Sequence, residues 1–165
     1  MPTPLATACL TLIFSLLTLL SSPASAAGLD LSKALVIGNG PKTVIEFTDP
    51  DCPFCRKAAT YFANRKDVTK YVFFSPLEKH PDARRKIQYI LSQTNRTKAY
   101  YEVMTGKLDD VDVRRLPTTP RGVKLQRLQH EIAKKAGIDA TPTFMLSGRI
   151  IEGFDLVKIE GILGK

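Results

Sequence analysis

The sequence predicts an α/β domain interrupted by a helical insertion. Three observations carry this reading. Two β-branched and aromatic runs, Thr43–Thr48 (TVIEFT) and Lys70–Phe74 (KYVFF), flank a helical stretch and give a β-α-β unit. A block rich in helical patterns follows, at about 81–137. The chain then returns to two short strands, Thr143–Leu146 and Arg149–Ile151, around the Ser147-Gly148 turn.

The elements follow in order. Leu5 to Leu20 is sixteen residues without a charge, broken by Ser21-Ser22-Pro23 and followed by Ala24-Ser25-Ala26, an A-x-A pattern. Residues 1–26 therefore read as a cleaved secretory signal peptide, shorter than the ~20 residues a spanning helix needs. The domain is expected over 27–165, outside the cytoplasm, where disulfides persist. Ala34–Ile37 is a short apolar run before the Gly38-Asn39-Gly40-Pro41 turn. Asp49-Pro50-Asp51 stops the TVIEFT strand, and Cys52-Pro53-Phe54-Cys55 opens a helix to about Arg65. Pro81 and Asp82 suit the first turn of a helix through Ile87, Ile90 and Leu91. A second helix is expected at Lys98–Thr105, with Gly106 past its end. Lys107–Pro120 reads as irregular. Gly122–Ala136 is helical, with Leu125, Leu128 and Ile132 on one face and Gly137 at its end. Asp155 suits the cap of a last helix from Leu156.

Composition narrows the function classes. The 165 residues are 44% apolar and 24% charged, which excludes a disordered chain. Three cysteines are too few for a disulfide-dense scaffold. A single long apolar run excludes a multi-span membrane protein. The net charge of +8 lies wholly beyond residue 26 and permits a non-enzymatic binder of anionic partners. The basic residues are dispersed, however, and the aromatics fall in strand and helix core patterns, so no nucleic-acid partner is expected.

The chemistry lies in Cys52-Pro53-Phe54-Cys55. Pro53 suits the first helical position, which makes Cys52 the N-cap. Its sulfur then sits beside unpaired backbone N–H groups at the positive end of the helix. Both effects favour the thiolate, which is the nucleophile. Cys55 falls on the same side and can close a disulfide. Cys52 is expected to attack and Cys55, the buried thiol, to resolve. Arg56 and Lys57 add positive charge nearby, while Asp49 and Asp51 oppose it. A structural disulfide is a second reading of the pair. Half of a zinc site is a third, although His80 and His130 stand at spacings no zinc finger uses.

Thr141-Pro142 precedes the strand at Thr143. FTDPDCPFCRK at 47–57 and GIDATPTFMLSGRIIEGF at 137–154 resemble the catalytic domain of the periplasmic DsbC/DsbG disulfide isomerases. FFSPLEKHPDARRKIQYI at 73–90 and KAYYEVMTGK at 98–107 resemble that family's inserted helical segment. The resemblance implies a thioredoxin-like fold, with the insertion between the CxxC half and the cis-Pro half. It makes Pro142 the cis-proline lying against the cysteines, and with Thr141, Phe54 and Pro53 it shapes the substrate groove. It implies cysteine-containing protein substrates, a membrane thiol reductase or oxidase as redox partner, and no organic cofactor or metal. The family's N-terminal dimerisation domain has no counterpart in the short stretch after Ala27, so a monomer is expected. A dedicated thiol reductant of one client remains an alternative.

Glu46 lies six residues before Cys52, between Ile45 and Phe47. Thioredoxin and the DsbA oxidases, which this segment resembles, carry a buried acid there. Such an acid could take the proton from Cys55 as it attacks. The competing reading is a strand glutamate paired with a lysine at the sheet edge. His80 and His130 are expected to be solvated, as are Arg84-Arg85-Lys86, Arg114-Arg115 and Lys134-Lys135. Asn95-Arg96-Thr97 matches a glycosylation sequon, a pattern short enough to occur by chance.

Overall fold

The computed structural model describes residues 28–165; the signal-peptide reading of 1–26 lies outside them. The elements are β1 (Leu35–Ile37), β2 (Lys42–Thr48), α1 (Pro53–Ala63), β3 (Val68–Phe74), α2 (Ala83–Ser92), α3 (Arg96–Met104), α4 (Pro120–Lys135), β4 (Thr143–Leu146), β5 (Arg149–Glu152) and α5 (Leu156–Leu163). They build one five-stranded sheet in the order β1-β3-β2-β4-β5. Only β2 and β3 run parallel, joined through α1, with Glu46 opposite Val72. The other neighbours are antiparallel.

The central strands are apolar on both sides because both faces of the sheet are covered. On one face Val44, Val72, Phe74, Phe144 and Leu146 pack with residues of α1, α3 and α5. On the other, Ile45, Phe47, Phe73 and Met145 meet Ala133 of α4 and the segment from Leu29 to Ala34. Phe47 and Phe73 stack with ring centres 5.4 Å apart.

Local chemistry sets the boundaries. The Asn95 side chain caps α3 through the Lys98 N–H at 2.9 Å, so the sequon asparagine has a structural role. Thr119 caps α4, with Pro120 at its first position. Asp155 caps α5 as expected. Ser147 and Gly148 both take positive φ, which the tight β4–β5 hairpin requires. α2 starts at Ala83, just after the residues expected to form its first turn.

One helix face departs from expectation. α4 buries Gly122, Gln126, Gln129 and Ala133, while Leu128 is 39% exposed. Gln129 explains the rotation. Its Oε1 accepts from the Phe74 N–H at 3.1 Å and its Nε2 donates to the Lys33 carbonyl at 2.6 Å. A buried amide satisfies two backbone groups that a leucine would leave bare. At Gly122 a Cβ would fall 2.1 Å from Ser92 Oγ, so only glycine lets α4 approach the end of α2 this closely.

Candidate active site

The parallel pair β2 and β3 end on the same side of the sheet, and β4 begins there, with Phe47 opposite Thr143. Three loops meet at that edge: 49–52, 75–82 and 138–142. Cys52 has the extended backbone of an N-cap, φ −82° and ψ 121°, with Pro53 at the first helical position. Cys55 follows one turn later, fully buried, and both cysteines are free thiols.

The two sulfurs are held in opposite states. Cys52 is lowered to about 5, first by the hydrogen bond from the Cys55 thiol. The backbone N–H groups of Cys55 and Phe54 and the side chain of Thr141 add to this, against burial. The Cys55 thiol is pushed far up, first by burial and then by donating to Cys52. The Thr48 hydroxyl and the Asp49 N–H, 3.4 Å from Cys55 Sγ, pull the other way.

Thr141-Pro142 is a cis peptide, and the Thr141 carbonyl lies 3.4 Å from Cys52 Sγ. Pro142 is buried, and its carbonyl accepts from the Gly153 N–H at 2.7 Å. Pro53 is exposed, and so is Phe54 at 56%, with Lys57 Nζ 5.5 Å from the ring centre. The structure thus brings Cys52, Cys55, Thr141, Pro142, Pro53 and Phe54 to one edge.

Arg56 and Lys86 are paired with Asp51 and Asp109 beside the cysteines. Arg56 grips Asp109 with two bonds of 2.6 and 2.8 Å. Lys86 reaches Asp51 at 2.6 Å and Asp109 at 2.9 Å. Lys86 is buried, which corrects its reading as a solvated charge: α2 turns it inward to a site holding two carboxylates. Arg56 is therefore committed to Asp109, and the low Cys52 value comes from short-range hydrogen bonds.

His80 is also corrected. Its Nδ1 lies 2.9 Å from Asp49 Oδ2, with little of the ring in solvent. Asp49 is fully buried and accepts from the N–H groups of Asp51 (2.7 Å) and Leu77 (2.8 Å) as well. His130 is half-buried rather than solvated, and its Nδ1 has no hydrogen-bond partner. Burial, with Lys134 and Arg84 nearby, pushes its protonation down. Neither histidine joins the cysteines: among the described residues, no group of three or more His, Cys, Asp or Glu could hold a metal ion.

Glu46 is fully buried, and it is paired with a lysine. Its partner is Lys70 of β3, with Nζ 2.6 Å from Oε2. The pair sits inside the sheet, not at its edge. Lys70 also donates to Tyr100 Oη at 2.9 Å and lies over the rings of Tyr100 and Phe62. Sequence reasoning missed Thr48, His80, Lys70, Tyr100, Lys86 and Asp109 as neighbours of the site, and read Asp49 only as a nearby negative charge. Lysine in the apolar run KYVFF was the one visible signal among them.

Residues 29–155 match the family described as Thioredoxin-like domain. The chain belongs to this family. No curated protein matches the chain. A solved structure described as a disulfide interchange protein from Neisseria gonorrhoeae is 32% identical, with a TM-score of 0.68 over 82% of this chain and 96% of that one. A thioredoxin-like oxidoreductase from Silicibacter pomeroyi is 22% identical, with a TM-score of 0.63 over 79% and 90% of the two chains. A periplasmic thioredoxin-like protein from Salmonella enterica serovar Typhimurium is 15% identical, with a TM-score of 0.64 over 88% and 91%. The last two share the thioredoxin-like fold.

Proposed function

We propose that this thioredoxin-like protein is an extracytoplasmic thiol:disulfide oxidoreductase, acting in disulfide interchange as the DsbC/DsbG proteins do. The observation that carries the reading is the opposed state of the two thiols, Cys52 low and Cys55 high. A nucleophile must be a thiolate, and a resolving thiol must wait protonated until it is needed.

In the reducing direction the Cys52 thiolate attacks one sulfur of a substrate disulfide. A mixed disulfide forms, and the other substrate sulfur leaves as a thiolate. Cys55 then loses its proton and attacks Cys52 Sγ, which releases the second substrate thiolate. Two electrons pass to the substrate, and the Cys52–Cys55 disulfide remains. The reverse sequence oxidises a substrate dithiol. Glu46 is the base assigned to the Cys55 proton, and the Thr48 hydroxyl and Asp49 N–H receive the new thiolate charge. Thr141, Pro142, Phe54 and Pro53 border the substrate. A membrane thiol reductase or oxidase resets the pair. A cleaved 1–26 signal peptide delivers the protein to the periplasm, where it works as a monomer.

The test is the reduction potential of the cysteine pair, by equilibration with glutathione. Thiolate stabilisation favours the dithiol form and raises the potential. The expected value lies between about −270 mV, for a thioredoxin-like reductant, and about −120 mV, for a strong oxidant. A pair that exchanges with no thiol would overturn the reading and leave a structural bridge. If Glu46→Gln resolves mixed disulfides at the wild-type rate, its assignment as base fails.

A further inference from the structure

An open groove of about 950 Å3 lies beside the cysteine edge, and the redox chemistry leaves it unused. That is near the upper end of the roughly 300–1,000 Å3 typical of ligand sites. One wall is the loop after β3, from Ser75 to Pro81. The other is the last turns of α4 and the segment to Asp139. Both walls are tied to the cysteines. His80 pairs with Asp49, whose N–H meets Cys55 Sγ. Asp139 lies two residues before Thr141, whose carbonyl meets Cys52 Sγ.

The groove lining has a net positive charge, three cations against two acids. Lys79, Arg84 and Lys134 line it and are exposed. Among the described residues none of the three has a carboxylate within 4.0 Å, although nearly every other cation near the site is paired. Their fields converge: Lys134 and Arg84 both act on His130, whose Nδ1 is buried without a partner. Glu78 and Asp139 are the only acids of the lining. Pro76, Leu77 and Ile138 add apolar side chains to the lining.

We propose that this groove binds an acidic, extended segment of the protein substrate, next to the cysteine that Cys52 engages. The proposal rests on the oxidoreductase reading for that cysteine and on the groove's own chemistry for the acidic segment. Three unpaired cations call for an anionic occupant. The apolar side chains favour polypeptide, and no Phe, Tyr or Trp lines the groove on which a nucleic-acid base could stack. The position beside both cysteine-bearing loops makes the site an extension of the reacting edge.

Two labelled peptides test this on the purified protein. One alternates Asp or Glu with Leu, and the other carries Asn or Gln in place of the acids. Each is made with a serine, for binding by fluorescence anisotropy, and with a cysteine, for mixed-disulfide formation. The acidic peptide is expected to bind about tenfold more tightly, the sum of three exposed ion pairs of ordinary strength. The preference should fade at high salt. It should disappear in Lys79→Glu/Arg84→Glu/Lys134→Glu and in the milder triple Gln variant. Glutathione exchange should stay at the wild-type rate in both, which also reports that they fold. Equal binding of the two peptides, or a preference that survives both variants, overturns the proposal. So does a groove that takes heparin but shows no peptide preference. An acidic preference in a protein that exchanges no thiols would keep the groove and overturn the redox reading instead.

Discussion

Lys70 Nζ lies 2.6 Å from Glu46 Oε2, and both side chains are sealed from solvent between β2, β3, α1 and α3. Neither carboxylate oxygen makes a directed hydrogen bond, so the contact is ionic. Removing one member strands the other charge in an apolar layer. Lys70→Met is expected to cost about 3–5 kcal/mol in denaturant unfolding, while Glu46→Leu/Lys70→Met together should cost far less than the sum of the single changes. A Lys70→Met protein as stable as the wild type would show that the pair adds nothing to the stability of the fold.

The Cys52 thiolate gives a pH signature. Its ultraviolet absorbance in the reduced protein should titrate near pH 5 and vanish in Cys52→Ala. The sign for stability follows. Cys52 is lowered from 9.0 in the unfolded chain to about 5 when folded, so between those values the unfolded state binds the extra proton. The contribution is present above pH 9 and is lost as the pH falls to about 5. Reduced protein should therefore lose stability across that window relative to Cys52→Ala. Parallel curves for the two proteins would remove the thiolate from the account.

What was legible in the sequence was whatever depends on neighbours along the chain. The CxxC helix start, the Ser147-Gly148 hairpin and the Asp155 cap each rest on residues within one turn of each other, and the β-α-β order on three successive local patterns. What was not legible depends on which side chain a distant element delivers. Lys86 looked like one of three solvated cations, and only the packing of α2 on the active-site edge turns it toward Asp51 and Asp109. His80 looked like a solvated loop residue because its partner, Asp49, is far away in sequence. On α4 Leu125 and Ile132 pack against the core as expected, but Leu128 is exposed and the most buried positions include Gln129, whose amide meets two backbone groups that leucine could not.

The charge cluster beside the cysteines has an acid limb of its own. Arg56 and Lys86 hold Asp109 at about 2, below its ordinary 3.8. Its contribution to stability is present above about pH 4 and lost as the pH falls through 2. Asp109→Asn should flatten the stability curve in that range and leave the Cys52 titration close to pH 5, because Cys52 is tuned by hydrogen bonds rather than by this cluster. A midpoint displaced upward by a full unit would mean that the cluster's field reaches the sulfur after all.

Asp49 joins two loops of the site through one carboxylate. Oδ1 accepts from the Asp51 N–H, just before Cys52, and Oδ2 holds the Leu77 N–H and His80 of the loop after β3. Asp49→Ala would leave two part-buried backbone donors and an imidazole without acceptors. An unsatisfied buried donor costs about 1–3 kcal/mol, so a loss of about 2–4 kcal/mol is expected. Asp49→Asn keeps one accepting oxygen and should lose about half of that. The functional consequence falls on Cys55, whose sulfur takes the Asp49 N–H. Once the loop loosens, iodoacetamide should reach Cys55 in the reduced alanine variant at a rate well above that of the wild type, where the thiol is fully buried. Unchanged Cys55 alkylation, with only stability reduced, would confine Asp49 to scaffolding and detach it from the reactivity of the pair.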